Sequence, residues 1–435
     1  MTCHSPAFHK MSCHMKGNIM EHRVVITGIG AIVPGAFGAE QLWKRVAAGS
    51  SALGKLTMVD TTGLPTQTGG EIPAFDPLDY MEARLARKMD RYSQLSVSSA
   101  ILACRDAEFD PSSLSDASEG VFEGSSFGPL VGTLNCYRSY LANVCDGIRP
   151  HLLMTSMAGS GSGFISLILH SHGPAMTISD GSASSTSAIG QAFRKIKCGL
   201  LDVALAGGSE APLSREIIAT FCSARLLSTQ SRGSNGVMRP FDKDRDGFVL
   251  SEGAVFLFME SLEHALRRDA QPYAEIVGFA ETGDAYHPTS PHPDGTWIAR
   301  AMKLAMEEAC MQASDIQYIN AHGTATKIND VVEAKAIRAV FGRSNENPAV
   351  SSTKPVTGHL LGASGATECA ITAMAMKHQF VPGTATLQNV DPDCELKNLP
   401  VDGAPLPIYG AINNNYSFGG RNTTIVFRSM NQVNI

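Results

Sequence analysis

The chain has 435 residues, a formal net charge of −6, 17% charged residues and 41 glycines. That near-neutral balance leaves no electrostatic case for nucleic acid or an anionic membrane surface, and no run approaches the roughly 18 apolar residues of a membrane span. The length suffices for a substantial core, and many small residues with little charge suggest a compact enzyme.

Residues 1–22 stand apart. They hold Cys3, His4, His9, Cys13 and His14 without zinc-finger spacing, and read as a loose extension rather than a metal site or secretory leader. The ten cysteines are scattered without close-set pairs, as expected of reduced thiols in a cytoplasmic protein. From Arg23 to Val33 an apolar run breaks at Gly28 and Gly30 and reads as a buried strand. Val33 stands where a dinucleotide fingerprint needs its third Gly, which excludes a nicotinamide site. Helical spacing follows over residues 39–48 and 88–106, with a surface stretch at 63–77 between them. Residues 121–128 read as a strand entering a small-residue loop.

Thr177 to Asp180 leads into Gly181 and Ser182, after which Ile189, Ala192, Phe193 and Ile196 recur at helical spacing. This is strand, sharp turn and helix, with Ser182 at the turn. Unpaired N–H groups at a helix start can activate a side chain and hold an oxyanion; a Ser/Thr-rich stretch is equally the mark of an ordinary N-cap. Residues 201–210 form the next strand. Further on, Asp242, Asp244, Asp246 and Gly247 imitate a calcium loop, but Gly253 stands where the bidentate Glu belongs, so these charges read as a paired structural network.

The second half repeats the style of the first. Residues 274–280 read as a strand, 296–313 as a long helix, and 318–326 as a strand delivering His322 into a small-residue loop. A helix over 333–341 follows. His359 then sits beside Gly358, ahead of a helix running from Leu360 through Lys377 whose small start, Ala/Met body and basic end mirror the unit around Ser182. Two related α/β halves, residues 23–268 and 269–435, with sheets covered on both faces are the resulting expectation.

Two histidines at strand-to-loop junctions, with a nucleophile-like residue at a helix start, make a candidate catalytic constellation. Several ordered blocks extend it: VVITGIG from Val24, GGSEA from Gly207, and RPFD, RDGFV and SEGA between Arg239 and Ala254. AHGTAT follows with Asn329, Asp330 and Glu333, then Lys354 with Gly358, His359 and Glu368, and NNNYSFGGRN from Asn413. Over Arg23 to Phe427 the sequence resembles the β-ketoacyl-[acyl carrier protein] synthases of the elongating type.

The resemblance implies a thiolase-like layered αβαβα fold of two duplicated halves. It also implies decarboxylative Claisen condensation of an acyl chain with malonyl-[acyl carrier protein] in fatty acid or polyketide synthesis. Substrates would ride on the phosphopantetheine of acyl carrier protein, with no bound cofactor or metal. Partners would be that carrier and a second ketosynthase-like chain, as homodimer or heterodimer, pairing through the strand at 175–180. Ser182 takes the nucleophile position, and His322 and His359 would donate hydrogen bonds to the malonyl thioester carbonyl. Lys354, held by Glu368, would order that pair, while the backbone N–H groups of Ser182 and Phe418 would form the oxyanion hole. Thr324 and Thr326 resemble pantetheine contacts, Gly419 lies beside the substrate, and Phe127 is either a gate to the acyl pocket or a core residue. Asp330 and Glu333 read as structural.

One position departs from the family: Ser182 stands where it has a Cys. A thiol with a pKa near about 8.5 supplies thiolate at a helix start, whereas a hydroxyl needs an adjacent general base. No G-x-S-x-G elbow surrounds Ser182, since Asp180 and Ser184 take the flanks. Acylation is therefore expected to be blocked or slow. With His322, His359, Lys354 and Glu368 intact, the sequence favours an introduced Cys→Ser replacement over a natural Ser variant or a non-catalytic chain-length partner. A thiolase would need a second catalytic Cys in the C-terminal half, and Cys369 falls within a helix.

Overall fold

The computed structural model describes residues 21–111, 118–143, 150, 152–230, 237–342 and 348–430, so the extension expected over 1–22 lies almost wholly outside the described residues. In the first half, strands β1 (Val24–Val33), β2 (Glu119–Gly124), β3 (Ala175–Ile178), β4 (Val203–Glu210) and β5 (Gly253–Ser261) pair in the order β3-β2-β4-β5-β1. In the second, β6 (Ala274–Gly283), β7 (Tyr318–Asn320), β8 (Ala349–Ser351), β9 (Gly410–Ser417) and β10 (Arg421–Arg428) pair in the order β8-β7-β9-β10-β6. Both halves use the same directions: the first three strands of each order run parallel, and the remaining neighbours antiparallel. The duplication read from the sequence is thus a duplication of topology. The halves join where β1 meets β6, Val24 opposite Ile276 and Ile26 opposite Ala274.

Glycine explains how β1 carries a helix so closely. A Cβ at Gly28 or Gly30 would collide with the backbone carbonyl of Ala103 or Ser99, both on helix α1 (Arg91–Asp106), whose N-cap Asp90 accepts from Ser93 N at 3.1 Å. The pair that imitates a nucleotide turn instead serves strand–helix approach.

Helices α2 (Ser184–Lys197) and α3 (Ser364–His378) lie in the middle layer, each entered through a 3-10 turn, Gly181–Ala183 and Leu361–Ala363. Residues 364–376 are buried without exception, the polar Ser364, Thr367, Glu368 and Thr372 included. Ala366 N donates to Ser185 Oγ at 2.9 Å, tying the first turns of the two helices together.

Two helix boundaries differ most from expectation. The helix expected over 296–313 is Thr296–Glu308, because the chain turns left-handed at Cys310, φ 52°, and Met311 N closes onto Met306 O at 3.0 Å. The helix expected from Glu333 already runs over Lys327–Phe341. Its first turn looks loop-like because Asp330 is polar, yet that carboxylate accepts from Phe241 N at 2.9 Å and pairs with Arg245. The calcium-like loop belongs to the same network: Asp242 accepts from the N–H groups of Asp244, Gln388 and Asn389, each at 2.9 Å.

Glu123, on β2, is fully buried beside Ser96 and Thr177. Burial pushes its carboxyl up from 4.5 to about 7. The folded chain keeps a proton there that an unfolded Glu has lost, so this contribution is complete below about pH 4.5 and is lost as pH rises through about 7. Glu123→Gln is therefore expected to raise Tm at about pH 8.5 and to leave it near wild type at about pH 5 in thermal melts; an equal change at both would contradict the assignment.

Among the described residues, no helix is long and apolar enough to cross a membrane, and no group of His, Cys, Asp and Glu is arranged to hold a metal.

Candidate active site

Ser182 sits on the 3-10 turn, and α2 begins at Ser184. Ser184 Oγ accepts from Asp180 N at 2.8 Å and donates to Gly181 O at 2.6 Å, closing the turn. Gly181 has φ +59°, and a Cβ there would collide with Ser417 Oγ, so the position requires glycine twice over. Ser182 Oγ is 3.1 Å from His359 Nε2.

His322 lies just past β7. Its N–H and that of Gly323 both donate to the Glu333 carboxylate at 2.8 Å, which fixes the loop; burial pushes that carboxyl up to about 8. Lys354 Nζ donates to His322 O at 2.6 Å and pairs with Glu368, whose other oxygen accepts from Asn415 Nδ2 at 2.6 Å. His359 is mounted on a parallel bridge with Leu250: its N–H donates to Val249 O at 2.8 Å, and its carbonyl accepts from Ser251 N at 3.0 Å. The two imidazole centroids are 5.6 Å apart. Burial first, then Lys354, holds both rings well below the usual imidazole range, so they act as neutral hydrogen-bonding groups. Two neutral imidazoles this close together can accept a proton or hold a developing enolate oxygen.

Phe418 and Gly419 occupy the turn between β9 and β10, Phe418 being 44% exposed. Thr324 and Thr326 share a hydrogen bond at 3.0 Å beside His322. Phe127 is 36% exposed and meets Phe221 edge-on at 6.1 Å, so the core alternative for it does not hold. Cys369 is buried in α3, where burial drives its thiol well up, and Asn413 Nδ2 lies 3.3 Å from its sulfur. That is no place for a second nucleophile.

Four residues escaped the sequence reading. Asn415 bridges Glu368 and His322; Ser364 Oγ lies 2.8 Å from His359 Nδ1. Glu210 gathers the N–H groups of Ser126, Phe127 and Gly362 at 2.7 to 3.0 Å, joining the Phe127 loop to the turn after His359. Ser417 Oγ accepts from Ser182 N at 2.9 Å. The NNNYS run was visible, but nothing in its spacing shows which side chains turn inward. The last contact bears on the expected oxyanion hole: the Ser182 N–H donates to the Ser417 hydroxyl, and a substrate carbonyl taking up that donor would displace it. Ser417→Gly is expected to raise the acylation rate about 3- to 10-fold, by freeing that donor, in single-turnover mass measurements.

The β-ketoacyl synthase N-terminal domain matches residues 21–265, and its C-terminal domain residues 273–388. The chain belongs to the β-ketoacyl synthase family. Two curated β-ketoacyl synthases show the extent of the likeness. The 3-oxoacyl-[acyl-carrier-protein] synthase 2 of Synechocystis sp. is 37% identical over 94% of this chain and 99% of its own; that of Staphylococcus aureus strain COL is 37% identical over 93% and 98%. Among solved structures, the ishigamide ketosynthase/chain length factor superposes with TM-score 0.87 at 32% identity, covering 94% of this chain and 99% of that one. The AntDE:AntF structure, a type II PKS acyl-carrier protein in complex with its ketosynthase bound to the hexaketide, gives 0.87 at 30% identity over 94% and 100%. These structures share the thiolase-like layered fold expected above.

Proposed function

We propose that this β-ketoacyl synthase carries out decarboxylative condensation of an acyl chain with malonyl-[acyl carrier protein], with acyl transfer to Ser182 as its slow step. The observation that carries the reading is the pair of neutral histidines, one against the Ser182 hydroxyl and the other held by the buried Lys354–Glu368 pair. In acyl transfer, Ser182 takes the acyl group from the carrier thioester. Malonyl-carrier then loses CO2 while His322 and His359 hold the enolate oxygen, and the enolate carbon attacks the acyl carbon; collapse of that adduct breaks the acyl–Oγ bond, and Ser182 Oγ takes a proton from His359 Nε2–H, which is restored from water. Lys354 and Glu368 position the pair. Thr324, Thr326, Phe418 and Gly419 line the path of the pantetheine and acyl thioester, and residues 23–268 and 269–435 are the two halves that meet at the site.

Acyl carrier protein is the partner that delivers both substrates, and the reaction calls for no bound cofactor or metal, in a cytoplasmic setting. Among the described residues β3 is an end strand of the sheet, and its exposed Met176, with Leu153, Met157 and Leu167 also exposed, suits a second ketosynthase-like chain. A second reading is favoured by the Ser417 contact with Ser182 N: a non-catalytic chain-length partner in a heterodimer.

Ser182→Cys protein, offered malonyl-carrier and acyl-carriers of several lengths, alone and with candidate partner subunits, separates the two. β-Ketoacyl product by mass spectrometry is expected; its absence under every condition favours the partner. In the same assay Phe127→Gly is expected to lengthen the accepted chain, and an unaltered length profile removes the gate role.

A further inference from the structure

His322 and His359 share burial and neutrality but differ in what faces Nδ1. At His322 these are the Lys354 Nζ and the Asn415 amide Nδ2, both at 3.4 Å and both donors without acceptor capacity. The amide cannot be turned round, because Asn415 Oδ1 accepts from Thr186 Oγ1 at 2.6 Å and from Asn413 Nδ2 at 2.8 Å, while Nδ2 donates to Glu368. Nδ1 of His322 is therefore an acceptor, and its ring proton is on Nε2.

At His359 the neighbour of Nδ1 is the buried Ser364 hydroxyl at 2.8 Å, which both donates and accepts. When Ser364 Oγ accepts, the ring proton is on Nδ1, and Nε2 offers a lone pair to Ser182 Oγ at 3.1 Å. When Ser364 Oγ donates, the ring proton is on Nε2. A backbone carbonyl or N–H in place of that hydroxyl would lock one tautomer.

We propose that Ser364 is a positioning residue that lets His359 alternate between base toward Ser182 and N–H donor toward the malonyl thioester, while His322 stays a fixed donor. This rests on the ketosynthase reading of the site. In acyl transfer, Ser182 Oγ bonds to the thioester carbon and its proton passes to His359 Nε2. Collapse of the adduct breaks the C–S bond, and Nε2 returns the proton to the carrier's thiolate, releasing a thiol. In decarboxylation, the bond to the malonyl carboxylate breaks, CO2 leaves, and the electron pair becomes an enolate held by Nε2–H of both histidines. Ring protons exchange with water between the half-reactions, and Ser364 contributes a hydroxyl rotation.

The half-reactions are measured separately: acylation by intact mass, and CO2 release from malonyl-carrier without acyl donor. Ser364→Ala is expected to slow both by about tenfold or more, and Ser364→Thr, which keeps the hydroxyl, to recover both to within about threefold of the parent. In the Ser182→Cys enzyme, whose thiolate forms without a base, Ser364→Ala is expected to slow CO2 release more than acylation. Ring 15N spectra are expected to show mixed tautomers at His359 and Nε2–H at His322. Equal losses in the Ser182→Cys enzyme, no recovery with Thr, or a single tautomer at both rings overturns the proposal. A Ser182→Cys enzyme that neither acylates nor releases CO2 overturns the ketosynthase reading instead, and the 15N spectra still decide the tautomers.

Discussion

Ser182→Cys is expected to accelerate acylation by about 100-fold or more at neutral pH, because a thiol yields thiolate without help while a hydroxyl must lose its proton to a base as it attacks. The scaffold asks little of the change. Ser182 occupies a glycine-led 3-10 turn ahead of α2, with its side chain directed at His359, and sulfur and oxygen differ there chiefly in reach. Mass spectrometry after incubation with acyl-carrier, sampled over time, reads the difference directly. Rapid stoichiometric acylation of the protein bearing Ser182 would show that His359 alone is a sufficient base, and that slow acyl transfer is the wrong reading.

CO2 release from malonyl-carrier is expected to continue in the protein bearing Ser182 even when no acyl group is loaded, since that step uses the histidines and not the hydroxyl. His322→Ala should reduce it by about 100- to 1,000-fold, the usual consequence of removing one preorganised donor. Both imidazoles are held well below the ordinary range, by burial and then by Lys354, so each remains neutral as pH falls from about 8 to about 6. The rate should be flat across that interval, where an exposed His would titrate; a fall centred near about pH 6.5 would show a solvated ring. Lys354→Ala is a poorer probe, because it strands the buried Glu368 carboxylate at a cost of about 3–5 kcal/mol in folding. Loss of activity there would mix chemistry with stability.

What the sequence revealed follows from what leaves a mark in spacing. Strands buried on both faces give apolar runs, as at β1 and β5, and a turn that needs glycine gives Gly181 or Gly358. The duplicated halves could be seen because each repeats strand, small-residue turn and helix, although the shared strand order appears only when the ladders pair. Boundaries failed where polar residues are satisfied from outside their own element, as Asp330 is by Phe241 and Arg245. Ser364 and Ser417 went unread for a similar reason. A serine in a small-residue run looks the same whether its hydroxyl meets water, caps a helix or touches a catalytic ring, and only tertiary packing tells these apart.

Glu210 has an evolutionary consequence. One buried carboxylate holds the amides of Ser126 and Phe127 and that of Gly362 in the turn after His359, so inheritance of pocket shape and of reactivity is coupled. A lineage selected for longer products by altering the 125–128 loop would disturb the catalytic turn as well. Substitutions at Phe127 should therefore show epistasis with changes near Gly362, and specificity should drift through paired mutations more readily than through single ones.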